Sequence, residues 1–142
     1  MSRQRSKARS LAVQAIYQWQ IAGQEVSDII NQFFAEHAHK KVDVDYFRTL
    51  LQGVVHRVSD WDECLRPHAD RDILRIDPVE RAILRMAAYE LAEHPEIPYK
   101  VVLNEAISLA KLYGADQGHK YVNGVLDKTA RVLRPLEIAI KT

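Results

Sequence analysis

Apolar residues recur three and four positions apart through almost the whole chain, and no stretch alternates apolar with polar as a half-buried strand would. A chain patterned this way buries its apolar surface only by packing helix on helix. Ala8, Leu11, Ala12, Ala15, Ile16 and Trp19 form one stripe, with Gly23 just past its end. Ile29, Ile30, Phe33 and Phe34 mark a short second helix. Asp43 or Asp45 is placed to cap a third, along which Phe47, Leu50, Leu51, Val54, Val55 and Val58 recur, and Trp61 and Leu65 continue into a shorter piece ended by Pro67. The sharpest start signal is Asp77-Pro78-Val79-Glu80: an acid at the cap, proline at the first helical position, and a glutamate spaced as in a capping box. Val79, Ile83, Met86, Ala87 and Leu91 follow on one face. Pro98 starts a further helix with Val102, Ala106, Leu109, Ala110 and Tyr113 inward, which Gly114 is expected to close in the left-handed conformation. The last helix is expected from about Gly118 to Leu133, ended by Pro135. The expectation is an all-α fold of about six or seven helices in one compact domain spanning residues 1–142.

Composition narrows the chemistry. At 142 residues the chain fits one domain with a proper core. The single cysteine, Cys64, excludes an internal disulfide framework and a cysteine-based zinc site. The apolar runs are far too short to span a bilayer, and no signal-peptide block follows the charged start, so the expected compartment is the cytoplasm, with no membrane partner. No glycine-rich phosphate loop, nucleophile elbow or His-Glu-x-x-His motif occurs. Glu36-His37-Ala38-His39 offers metal-ligand types in a polar stretch without further ligands nearby. Catalysis, a cofactor and a metal are therefore not expected.

Charge is unevenly spread although the net value is only +1. Residues 1–24 hold Arg3, Arg5, Lys7 and Arg9 and no acid, residues 25–110 are acidic on balance, and residues 111–142 are basic again. Basic ends around an acidic middle suggest an anionic partner on one face and a basic one on another. Arg3, Arg5, Lys7 and Arg9 read as a flexible basic arm over residues 1–9, the kind of segment that orders on RNA, where the guanidinium fork suits phosphate. His119, Lys120 and Tyr121 place an imidazole, a cation and a phenol at a helix start, where backbone N–H groups favour anions. Tyr121 or His119 can stack on an unpaired base while Lys120 meets a phosphate. Periodicity equally allows Tyr121 as a core aromatic, and Gly124 as either a packing notch or a point of close ligand approach.

These residues also carry a resemblance. Ala12-Val13-Gln14-Ala15-Ile16-Tyr17-Gln18-Trp19-Gln20 and Tyr46-Phe47-Arg48-Thr49-Leu50-Leu51-Gln52-Gly53-Val54 resemble helix signatures of the NusB family of transcription antitermination factors. The stretches from Glu80 to Leu91, from Ile97 to Ile107 and from His119 to Lys128 resemble it in the same order. The resemblance implies two small helical subdomains. It also implies binding of the single-stranded boxA element of nascent ribosomal RNA leader transcripts, together with the small-subunit ribosomal protein NusE, and indirectly with other Nus factors and RNA polymerase. Carried over by position, Arg5, Lys7 and Arg9 match the basic RNA-binding arm. His119, Lys120 and Tyr121 match an aromatic and basic patch that continues it, and Tyr17 and Glu80 match the NusE-facing side. The acidic middle would steer a basic ribosomal protein. The arm is less arginine-rich than some in the family, which implies weaker intrinsic RNA affinity. The loop from Ala69 to Ile76 is poorly diagnostic, and the tail 136–142 matches nothing. A related fold forms the N-terminal domain of ribosomal RNA cytosine methyltransferases, so an RNA-targeting module is the alternative reading; a homodimer that sequesters its RNA surface is the third.

Overall fold

Among the described residues there are eight α-helices: α1 (Arg3–Ala22), α2 (Val26–His37), α3 (Val44–His56), α4 (Val58–Leu65), α5 (Pro78–Glu93), α6 (Tyr99–Tyr113), α7 (Gly118–Leu133) and α8 (Pro135–Lys141). The computed structural model describes residues 3–37 and 41–141, the last by its backbone alone, and contains no strand among them. The all-α expectation holds, with more helices than the six or seven expected. Pro135 does not merely end α7; it opens α8, where a missing N–H costs nothing because the first helical donors have no partner in the helix. The tail therefore joins a helix rather than forming a separate segment. His39 of the metal-ligand reading lies outside the described residues, and no cluster of three or more potential ligands occurs among the described ones.

α5 is the shared element. α1, α2 and α3 pack together as one group and α4, α6 and α7 as another, and α5 packs against both. From Glu80 to Leu91 every residue of α5 is buried. A helix buried all round is normally apolar all round. This one instead carries charged groups that find partners outside it. Arg85 grips Asp62 in a two-point contact at 2.8 and 2.9 Å, and Arg81 donates to the carbonyls of Leu74 and Ile76. Asp77 caps the helix by accepting from the N–H groups of Val79 and Glu80. The other half of the expected capping box does not form. Glu80 turns away from the cap toward the loop between α6 and α7, where burial and Asp77 raise its pKa while the Ala115 N–H and Arg71 oppose the rise.

Two glycine expectations divide. Gly23 does take the left-handed conformation after α1, at φ +64. Gly114 does not: its backbone is extended at φ −83, and a side chain there would press on the Ala110 carbonyl at 2.6 Å. Closeness rather than a left-handed turn demands glycine at that point.

The basic segment is not a free arm. From Arg3 onward it forms the first turns of α1. Ser6 donates to Glu105 at 2.5 Å, the Arg5 guanidinium lies 4.1 Å from the Tyr46 ring centroid, and Ala8 and Arg9 are fully buried. These contacts offset the entropy of ordering a segment that sequence alone reads as mobile.

Candidate nucleic-acid interface

Arg9, expected among the RNA-binding residues, is not available to a ligand. Its side chain is 0% exposed; Nε donates to both carboxylate oxygens of Glu90, and Nη1 donates to Glu105 at 2.8 Å. The Tyr46 hydroxyl also donates to Glu90. Burial alone would lower the Arg9 pKa, but Glu90 and its neighbours more than compensate and hold the charge. The same burial, with Glu90 beside it, drives the Tyr46 phenol pKa well up. Arg9 is a core cation, selected by its two carboxylates. Arg3 and Lys7 are exposed on α1, and Arg5 is partly covered by Tyr46 and lies 3.9 Å from Asp43.

The patch at the start of α7 and the cations of α1 lie toward opposite ends of α5. α1 and α5 run antiparallel, with Arg9 against Glu90 while Gln20 reaches Arg85 and the Pro78 carbonyl. Arg3, Arg5 and Lys7 therefore lie at the Glu90 end of α5. Gly118 lies at the other end, against Glu80. Ten residues of helix separate these points, about 15 Å of rise.

At the second of these points, α7 starts at Gly118, after Gln117 in the left-handed conformation at φ 67. A Cβ on Gly118 would collide with the Glu80 carboxylate, so glycine here lets α7 begin directly over α5. Lys120 is exposed, and His119 and Tyr121 are half-buried. The Arg71 guanidinium sits 4.6 Å from the Tyr121 ring centroid, held in place by Asp70 at 2.8 Å. Burial pushes the Tyr121 phenol pKa up, and Asp70 adds to the effect. Tyr121 is thus both a packed ring and one face of a surface cluster. Sequence reasoning missed Arg71, because it sits in an irregular loop with no periodicity to place it. It also missed Glu90, whose signal was present: a carboxylate at an inward position of the α5 stripe.

Tyr17 and Glu80 fall near each other but play different parts. Tyr17, 39% exposed, lines an open groove of about 500 Å³ with Ile21, Phe33, Val79 and Tyr113. Ile21 is 58% exposed there, an apolar side chain presented to solvent. Tyr113 is anchored by Ser10 and Gln14 at 2.5 and 3.1 Å. Glu80 is only 6% exposed. Its carboxylate sits beneath the loop between α6 and α7, against Gly118 and Ala115.

The structure thus gathers Arg71, Lys120 and Tyr121 at one helix start and leaves an apolar groove open at Tyr17 and Ile21. Comparison with known proteins gives the family. The sequence model of the NusB family matches residues 6–131. Transcription antitermination protein NusB of Nitrosococcus oceani is 54% identical over 137 residues, covering 96% of this chain and 92% of that protein. The protein of the same name from Idiomarina loihiensis is 55% identical over 131 residues, covering 92% and 94%. Among solved structures, T. maritima NusB superposes with a TM-score of 0.85 at 27% identity, covering 98% of this chain and 99% of that one. A structure of the antitermination factors NusB and NusE in complex with dsRNA gives 0.84 at 27% identity, covering 93% and 99%. The chain belongs to the NusB family.

Proposed function

We propose that this protein is a non-catalytic, cytoplasmic transcription antitermination factor. It binds the boxA element of nascent ribosomal RNA leader transcripts together with NusE, and so helps assemble the antitermination complex on RNA polymerase. The observation that carries the reading is the pairing of Arg71 with Tyr121 beside Lys120, close to the end of α5 where Val79 borders the Tyr17 groove. RNA is held at His119, Lys120 and Tyr121, with Arg3, Arg5 and Lys7 as a second contact region some 15 Å along α5 or further. NusE occupies the groove at Tyr17 and Ile21. A NusB relative solved with NusE and dsRNA supports both partners. The curated relatives extend little past the matched region, which favours an adaptor over a methyltransferase's targeting module.

Fluorescence anisotropy of a labelled boxA RNA, with a scrambled RNA of equal length as control, tests this reading in the absence and presence of NusE. The expected result is preference for boxA that tightens when NusE is added. Equal affinity for both RNAs, indifferent to NusE, would overturn it. Sedimentation over a range of concentrations then distinguishes a monomer from a homodimer that dissociates on RNA.

A further inference from the structure

Gly124 lies in the middle of α7, and a Cβ built on it meets nothing within 4 Å. An exposed glycine inside a helix weakens that helix, and no contact within the described chain requires a small residue there. Helical spacing puts Lys120 one turn before it, Lys128 one turn after and Arg131 two turns after, all on the same outward face. Lys120 and Lys128 have no ion-pair partner among the described residues, and Arg131 reaches Asp127 at 3.3 Å. The face thus holds three cations and one carboxylate. On the neighbouring elements, Glu63 is paired with Arg66 and Asp70 with Arg71, so neither offers a free negative charge to it.

We propose that the nucleic-acid track continues from Tyr121 along this outward face of α7. Gly124 admits the sugar–phosphate backbone of single-stranded RNA, and Lys120, Lys128 and Arg131 hold its phosphates. This rests on the RNA-binding reading of the α7 start and extends it by about 16 Å, the helical rise from Lys120 to Arg131. Two features favour RNA over a protein as occupant. The charge is complementary to phosphate, and the face is continuous with the Arg71–Tyr121 cluster. At its centre a side chain would hold a backbone off, and glycine does not.

The test uses the full chain and a labelled single-stranded RNA containing boxA, titrated at several salt concentrations. Lys128→Gln/Arg131→Gln is expected to weaken binding roughly fivefold or more and to flatten the log–log salt slope by about 0.7 for each phosphate no longer neutralised. Lys128→Arg/Arg131→Lys, which keeps both charges, should bind as wild type. Gly124→Leu, whose Cβ is accommodated, should melt no lower than wild type yet bind RNA more weakly. Wild-type affinity and slope in both the Gln pair and Gly124→Leu would overturn the track while leaving the proposed function standing. Loss of NusE recruitment in these variants with unchanged RNA affinity would also overturn it, assigning the face to a protein. Failure of the wild-type protein to bind any RNA would instead overturn the reading on which the track rests.

Discussion

Arg9 on α1 and Glu90 on α5 make a forked contact in the core, with Arg9 Nε 3.2 and 3.0 Å from the two carboxylate oxygens and both side chains at most 1% exposed. It joins two helices through charges drawn out of water, and the Tyr46 hydroxyl and Glu105 complete it. A pair of this kind is weakly stabilising as a unit and costly to break by half.

Arg9→Met should therefore lower stability by about 3–5 kcal/mol, because Glu90 is left buried without its cation. The melting temperature should fall by roughly 10 °C. Arg9→Met/Glu90→Gln should lose less than Arg9→Met alone. Thermal and urea denaturation check both expectations, and a loss no larger than that of the exposed control Lys7→Met would refute the core role.

Glu80 gives a pH signature of opposite sense to an ordinary salt-bridged acid. Burial, then Asp77, raises its pKa in the fold above the ordinary carboxylate value of 4.5. Between the unfolded and folded values the native state keeps a proton that the unfolded chain has lost. Stability present below 4.5 is accordingly lost as pH rises through the folded value. Glu80→Gln, which mimics the protonated acid, should gain on wild type in melting temperature from pH 4 toward neutrality. A constant difference across that range would contradict the raised pKa.

Tyr121 and Lys120 should separate by salt. Tyr121→Ala is expected to cost about 1–3 kcal/mol of RNA affinity with the salt slope intact, as removal of a stacking ring does. Lys120→Gln should flatten the slope by about 0.7, the effect of leaving one phosphate without its cation. Anisotropy titrations at graded salt distinguish the two; identical slopes in both variants would contradict the assignment.

The Tyr17 groove predicts a defect confined to the protein partner. Tyr17→Ala should weaken NusE binding by about 2 kcal/mol, the size of a central aromatic contact, or roughly 30-fold. BoxA affinity without NusE should not change. Calorimetry with NusE reads the first effect and anisotropy the second.

Helix content and most boundaries were legible because they depend on local signals. Asp77 with Pro78 started α5, Asp43 capped α3 and Gly23 ended α1, each through a backbone preference that acts within one turn. Whatever depended on contacts far along the chain was not legible. Arg9 looked like its neighbours Arg3, Arg5 and Lys7, and only Glu90 and Glu105, more than 80 residues away, turn it inward. Glu80 fitted a capping box by spacing, but the approach of Gly118 gave its carboxylate another place. Arg71 had no pattern around it, and it acquires a role only when α7 brings Tyr121 beneath it. Gly124, read as a packing notch or a point of close approach, has no neighbour within the chain to notch against.

The burial of α5 from Glu80 to Leu91 carries a further consequence. Its peptide N–H groups reach deuterium only when the helices around it separate, so they should exchange at the rate set by global unfolding. Both basic sites and the groove are attached to that one slow-exchanging rod. The surfaces proposed to meet partners would then breathe on their own timescale without their spacing drifting, so that a ligand at one end would find the other already in place.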